Sequence, residues 1–153
     1  FICENNFYAM GTSLTRQSAV TDMSLRALGV GMARDRFEGF DVEEVRERVG
    51  RAVRFAREGN GPVLLEIVTY RFRGHSMSDP AKYRPDGELD SRKKESDPLK
   101  ITENRLTEAF NLDPSKLGEV KESVETEAQA AWDFAESSPK PDPANLYDYV
   151  YTD

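Results

Sequence analysis

An α/β fold on a parallel sheet, followed by a helical carboxy-terminal region, is predicted by three features of the chain. A helical apolar spacing over residues 42–58 runs directly into an apolar, β-branched stretch over 63–70. A weaker strand pattern over 32–38 precedes the helix, so the three read as a βαβ unit whose strands must be parallel. From Pro85 onward strand patterns stop and helical ones take over. The expected division is an α/β part over 1–85 and, over 86–153, a helical region with an extended tail that packs on it or on partner subunits.

Taken in order, Phe1 to Cys3 reads as the tail of a buried strand, and Glu4 to Ser13 as a polar loop. Residues 14–31 are ambiguous: Thr21-Asp22-Met23-Ser24 offers a cap for a short helix through Leu28, stopped by Gly29. The strand over 32–38 closes at Gly39. Asp41 is a strong N-cap, with Glu43 and Glu44 in the first turn, where the helix dipole favours negative charge. Val42, Val45, Val49, Ala52, Val53 and Ala56 then follow at helical spacing, arginines fill the other face, and Gly59 ends the helix. Val63 to Tyr70, opened by Gly61-Pro62, is short, β-branched and nearly free of charge, as a buried parallel strand should be. Residues 86–96 fit either a short surface helix or a disordered stretch. Asp97-Pro98 opens a helix to about Asn111. Asp113-Pro114-Ser115 opens a longer one, with an apolar stripe from Leu117 through Trp132 to about Glu136. Pro139, Pro141 and Pro143 forbid helix beyond that. Leu146 to Tyr151 reads as an extended aromatic tail that must dock.

The bulk properties exclude several classes. The chain has 153 residues and a net charge of -7, which disfavours nucleic acid or an anionic membrane as the main partner. A single cysteine, Cys3, excludes an intrachain disulfide and a cysteine-built zinc site, and fits a reducing compartment. No apolar stretch approaches the roughly 18 residues of a membrane span. The opening Phe-Ile-Cys-Glu-Asn-Asn, without an initiator Met, leads us to expect a fragment of a longer chain.

The stretch after the strand is the richest in chemistry. Arg71, Arg73, His75, Ser76, Ser78, Asp79, Lys82 and Arg84 crowd into residues 71–84, hinged by Gly74 and Pro80, at the carboxyl end of a parallel strand, where open α/β sheets place ligands. His75 is the only histidine. Its imidazole can donate to a phosphate or relay a proton near neutral pH, and the surrounding cations favour a diphosphate or carboxylate. The bland alternative is a solvated basic loop whose ion pairs contribute about 0–1 kcal/mol each. Few apolar anchors offset its ordering entropy, so disorder without a ligand is expected. Asn5-Asn6 is either a turn device or a hard-cation site, in which an amide oxygen and a nearby backbone carbonyl suit magnesium. Ser13, Ser76 and Ser78 fit turn chemistry; no Gly-x-Ser-x-Gly elbow surrounds them.

Cys3-Glu-Asn-Asn-Phe-Tyr-Ala-Met-Gly-Thr-Ser13 and Tyr70-Arg-Phe-Arg-Gly-His-Ser-Met-Ser-Asp-Pro80, at this separation, strongly resemble the alpha-subunit family of pyruvate dehydrogenase. Gly39-Phe40-Asp41, Gly61-Pro62, Tyr83-Arg84 and Ser96-Asp97-Pro98 fit as well. The resemblance covers the carboxy-terminal part of that subunit. It implies that 1–85 is part of a thiamine-diphosphate-binding α/β domain, and that Asn5-Asn6 closes the thiamine fingerprint. Asn6 would then give its side-chain oxygen, and Tyr8 its backbone carbonyl, to a magnesium ion bridging the two cofactor phosphates. His75 matches the loop histidine beside the diphosphate, which supports acyl transfer. Arg71, Tyr83 and Arg84 match positions that order this loop. Ser13 and Ser76 fall where mitochondrial members carry regulatory phosphorylation, while Ala81-Lys82 stands in place of a third such serine. That departure points to a bacterial, cytoplasmic enzyme without kinase control; a eukaryotic one would act in the mitochondrial matrix.

The implied reaction is oxidative decarboxylation of pyruvate with acetyl transfer to lipoyllysine, carried on the lipoyl domain of the acyltransferase component. The implied assembly is a heterotetramer of two alpha and two beta subunits. The fingerprint's Gly-Asp-Gly half is absent from these residues, so this polypeptide alone is expected to be inactive. Alternatives within the enzyme class are the alpha subunits of acetoin dehydrogenase and of the branched-chain 2-oxo acid enzyme. Outside it, a non-catalytic assembly fragment could dock through the Trp132 helix and the tyrosine tail.

Overall fold

The computed structural model describes residues 1–151. They form two compact units, one from Phe1 to Ala109 and one from Phe110 onward. The first contains strands β1 (Ile2–Asn5), β2 (Tyr8–Ala9) and β3 (Thr12–Ser13), helix α1 (Leu14–Gln17), strand β4 (Ala33–Glu38), helix α2 (Val42–Arg57), strand β5 (Val63–Val68), and helices α3 (Glu88–Glu95) and α4 (Pro98–Glu108). A 3-10 helix spans Met23–Val30.

The central sheet has the order β1-β5-β4, all parallel, with Leu65 between Ile2 and Asp35, and Val68 between Asn5 and Glu38. β4-α2-β5 is therefore the βαβ unit expected from residues 32–70. α2 forms because Asp41 caps it, accepting from the backbone N–H groups of Glu43 at 2.9 Å and Glu44 at 3.4 Å. Its valine face covers the sheet: Phe37, Leu65 and Ile67 are buried and packed by Val45, Val49, Ala52 and Val63. The turn between β4 and α2 lies so close to β5 that a Cβ on Gly39 would stand 2.5 Å from the Ile67 methyl, so only glycine fits there. Arg105 of α4 donates to Asp41, and to Glu43 at 2.7 Å, tying the last helix of this unit to the start of α2.

Several boundaries differ from expectation for local reasons. β1 runs on to Asn5, and the loop after it is not wholly irregular, since β2 and β3 pair as a small antiparallel hairpin. The segment capped by Asp22 is a 3-10 helix that passes through Gly29 and stops at Gly31, which takes the left-handed conformation (φ 67°). β5 ends at Val68, two residues early. The polar 86–96 stretch contains helix α3. α4 stops at Glu108, before the left-handed Asn111 (φ 52°).

In the second unit, α5 spans Pro114–Ser137, capped by Asp113 through the Ser115 N–H at 2.9 Å. Val120, Val124, Trp132 and Phe134 on it are exposed. The proline segment does not exclude all helix: Asp142 accepts from the Ala144 N–H at 2.8 Å and caps a 3-10 turn over Pro143–Tyr147. Proline is tolerated there because a first-turn N–H has no intrahelical partner. Leu146 and Tyr147 therefore lie in a turn rather than an extended tail, and Tyr147, Tyr149 and Tyr151 are exposed. No helix among the described residues is long and apolar enough to cross a membrane.

Candidate active site

β1 and β5 are parallel neighbours, and their carboxyl ends coincide at the Asn5–Val68 pair. Two polar loops leave from that edge, the position where sheets of this type take ligands. The first turns sharply. Asn5 is buried; its Oδ1 accepts from the Phe7 N–H at 3.1 Å, and Phe7 is held in the left-handed region at φ 68°. Asn6 repeats the device, its Oδ1 accepting from the Tyr8 N–H at 3.1 Å. Two successive Asn-centred turns thus fix the direction of residues 5 to 8 before the chain enters β2. The Tyr8 hydroxyl donates to Glu88 of α3 at 2.8 Å. Burial, then this bond to a carboxylate, pushes the Tyr8 pKa up to about 12.

The second loop, residues 71–84, is held together by polar rather than apolar contacts. Asp79 accepts from the His75 N–H (2.7 Å), the Ala81 N–H (2.8 Å) and the Tyr83 hydroxyl (2.8 Å). These bonds, that of the His75 N–H foremost, hold its carboxyl below the ordinary carboxylate value. Arg84 gathers the other limb, donating to the carbonyls of Arg71 (2.6 Å), Phe72 (3.2 Å) and Arg73 (3.0 Å). Its guanidinium also lies over the Tyr70 ring, 5.1 Å from the centroid. Gly74 is pressed against Asp79, whose Cβ and Cγ would stand 3.0 Å from an added Cβ. Arg71 Nη1 lies 2.8 Å from His75 Nδ1. Guanidinium only donates, so Nδ1 accepts and the ring proton resides on Nε2.

The two loops touch. The Tyr8 and Tyr83 rings pack at 5.2 Å between centroids, tilted by 50°, and an added Cβ on Gly11 would lie 3.2 Å from the Tyr83 ring. A continuous path runs from Tyr8 through Tyr83 and Asp79 to His75, so the structure brings Asn6, Tyr8, Tyr83, Arg84, Arg71 and His75 to one end of the sheet. α3 closes the flank: Glu88 takes the Tyr8 hydroxyl, and Arg92, one turn on, covers the Phe7 and Tyr70 rings at 5.4 and 5.7 Å. Ser13 lies at the end of the hairpin, 3.4 Å from the Thr15 hydroxyl. Ser76 is exposed in the second loop, 3.1 Å from the Ser78 hydroxyl. A cavity of about 260 Å³ is bordered by Asn5, Asn6, Tyr8 and Met23. Among the described residues, no group of three or more His, Cys, Asp or Glu side chains is placed to hold a metal ion.

Sequence reasoning passed over two members of this arrangement, and placed Asp79 in the polar cluster without its anchoring role. Glu88 looked like one more surface acid among many. Glu66 sat unremarked inside an apolar strand, yet it is wholly buried and accepts from Asn5 Nδ2 at 2.6 Å. A lone carboxylate in such a strand is itself a signal, because burial demands partners for it.

The profile of the family described as "Dehydrogenase E1 component" matches residues 1–144. The chain belongs to this family. Among its relatives is the "Pyruvate dehydrogenase E1 component subunit alpha" of Rhizobium meliloti (strain 1021), 43% identical over 147 residues, covering 96% of this chain and 42% of that protein. The protein of the same name from Zymomonas mobilis subsp. mobilis (strain ATCC 31821 / ZM4 / CP4) is 42% identical over 147 residues, covering 96% of this chain and 41% of that protein. The Homo sapiens "Pyruvate dehydrogenase E1 component subunit alpha, somatic form, mitochondrial" is 38% identical over 153 residues, with 99% and 39% covered. This E1 chain therefore spans less than half the length of these relatives.

Proposed function

We propose that this chain is part of the alpha subunit of a pyruvate dehydrogenase. With a beta subunit, the complete subunit would decarboxylate pyruvate oxidatively and deliver acetyl to lipoyllysine on the lipoyl domain of the acyltransferase component. The observation that carries the reading is the meeting of the Asn6–Tyr8 turn and the His75 loop, through the Tyr8–Tyr83 contact, at one end of a parallel sheet. The names of the relatives supply the substrate.

The donors suit the magnesium and thiamine diphosphate of the resemblance. Asn6 Oδ1 spends one lone pair on the Tyr8 N–H, which leaves a fixed, hard oxygen with a second lone pair free. Such an oxygen, together with a backbone carbonyl such as that of Tyr8, is the kind of neutral donor set that magnesium takes when phosphates provide the charge. Bound thiamine diphosphate would supply the electron sink that takes up the bonding electron pair as carbon dioxide leaves. The chain's own residues would hold and orient. Asn6 and Tyr8 would carry the metal; His75, with its proton placed on Nε2 by Arg71, would donate to an anionic oxygen; Arg84, Tyr83 and Asp79 would keep that loop in shape. Arg71, Arg73 and Lys82 would draw anionic ligands toward the edge. A phosphate on Ser76 or Ser13 would bring about two negative charges to the same edge and oppose such binding.

The test is turnover by the full-length alpha subunit assembled with its beta subunit, offered pyruvate, acetoin and 3-methyl-2-oxobutanoate in turn. Pyruvate turnover dependent on magnesium and thiamine diphosphate, with acetyl appearing on a lipoyl domain, is expected. Preference for acetoin or the branched-chain acid would reassign the substrate. Assembly without turnover of any of the three would make the chain a non-catalytic assembly component.

A further inference from the structure

Glu66 has no exposed surface, and it stands in the middle of β5 on the face opposite Leu65 and Ile67. Moving an isolated carboxylate into a protein interior costs several kcal/mol unless its oxygens are satisfied. Here Oε1 accepts from Asn5 Nδ2 at 2.6 Å, and Oε2 accepts from the Ser24 N–H at 2.9 Å and lies 3.3 Å from Arg36 Nε. Ser24 is itself fully buried, and its hydroxyl accepts from Arg34 at 2.6 Å. An apolar residue would fill β5 without this network, so what the carboxylate adds is a fixed acceptor pointing at Asn5.

We infer that Glu66 is a positioning residue for the Asn6–Tyr8 donor pair, acting through Asn5. This rests on the magnesium reading given above. By taking the Asn5 amide nitrogen, Glu66 decides which end of that amide faces the backbone. Asn5 Oδ1 is thereby turned to the Phe7 N–H at 3.1 Å, and Phe7 is held left-handed at φ 68°, a conformation costly for a residue with a bulky Cβ substituent. The left-handed step sets where Asn6 Oδ1 and the Tyr8 carbonyl lie. Glu66 touches neither the metal donors nor any ligand; it fixes the turn that presents them.

Glu66→Gln is nearly isosteric but presents one acceptor where three donors converge, so its own amide hydrogens must face a donor. In the full-length alpha subunit assembled with its beta subunit, the magnesium concentration giving half-maximal thiamine diphosphate binding should rise about 10- to 100-fold, as for loss of an outer-sphere partner. The kcat at saturating magnesium should stay close to the parent's, while the thermal midpoint without ligands falls because a buried donor loses its acceptor. Adding Asn5→Asp to Glu66→Gln reverses the polarity of the contact: the new amide can donate to the new carboxylate and still accept from Ser24. The double variant should recover magnesium dependence relative to both single variants, a coupling that merely structural damage would not produce. If Glu66→Gln does not assemble, Glu66→Asp, which keeps the charge and withdraws it by one methylene, is judged by the same measure.

An unchanged half-saturating magnesium concentration in the single variant, or a double variant no better than its singles, overturns the inference about Glu66 and leaves the functional reading intact. Absence of magnesium-dependent cofactor binding in the unaltered assembly overturns that reading and the inference with it.

Discussion

Replacing Gly74 by alanine tests whether the shape of the second loop, rather than its charge, governs activity. The substitution adds one methyl group and changes no charge. Gly74 does not occupy a left-handed conformation, so the backbone itself accepts alanine; the obstacle is contact. The added Cβ would meet the Asp79 carbonyl oxygen and stand 3.0 Å from both Asp79 Cβ and Cγ. Carbon atoms pack comfortably at about 3.5–4.0 Å, so Asp79 must retreat by roughly 0.5–1 Å. Asp79 anchors the His75 N–H, the Ala81 N–H and the Tyr83 hydroxyl at 2.7, 2.8 and 2.8 Å, and a retreat of that size breaks or lengthens all three bonds. His75 then loses its place. A misplacement of about 1 Å at a reacting group typically costs about 100-fold in rate, equivalent to about 2.7 kcal/mol. The loop contributes nothing to the Phe37–Leu65–Ile67 core, so the thermal midpoint of the assembled enzyme should hold. The assay is kcat/KM for pyruvate in the full alpha–beta assembly, with His75→Ala alongside as the reference loss. A Gly74→Ala enzyme at the parent rate, while His75→Ala is impaired, would refute the reasoning, because the contact with Asp79 would then not set the position of His75.

Leu65→Ala empties the centre of the βαβ core, where Leu65 is 3% exposed, and should cost about 3–5 kcal/mol, read as a lower urea midpoint at unchanged slope in the full subunit. Asp41 gives a pH signature. Hydrogen bonding from Arg105, with the Glu43 and Glu44 N–H groups adding to it, lowers its carboxyl below the ordinary value of 3.8. A depressed folded-state value means that its stabilisation is complete above 3.8 and is lost as pH falls from there through the lower folded value. Asp41→Asn keeps a competent cap but cannot titrate, so its unfolding midpoint should fall less steeply below about pH 4 than the parent's. Parallel acid limbs would show that the Arg105–Asp41 pair is not formed in solution.

What could be read from the sequence, and what could not, separates along a physical line. α2 was legible because its determinants are local: an Asp41 cap, two acids in the first turn and valines at helical spacing all act within a few residues. β5 and the parallel pairing with β4 followed, since a helix between two strands permits few alternatives. The cluster around His75 was visible as composition, but its arrangement was not. Arg84 counts as one more cation in the sequence, whereas in the fold it donates to carbonyls more than ten residues earlier and ties the loop into a ring. The β2–β3 hairpin, with two residues on each side, is too short to show alternation.

Glu66 marks the deepest limit. Its significance comes from register, which places Cys3 and Arg36 across from it on the two flanking strands, and from the 3-10 helix that lays Ser24 over the same face. None of those neighbours lies within twenty residues of it in the chain. The general rule that a buried carboxylate must be satisfied predicts that partners exist, but not which ones. Because the nearest of them is the residue before Asn6, the charge that looks least at home in the strand is the one that joins the sheet interior to the candidate metal donors.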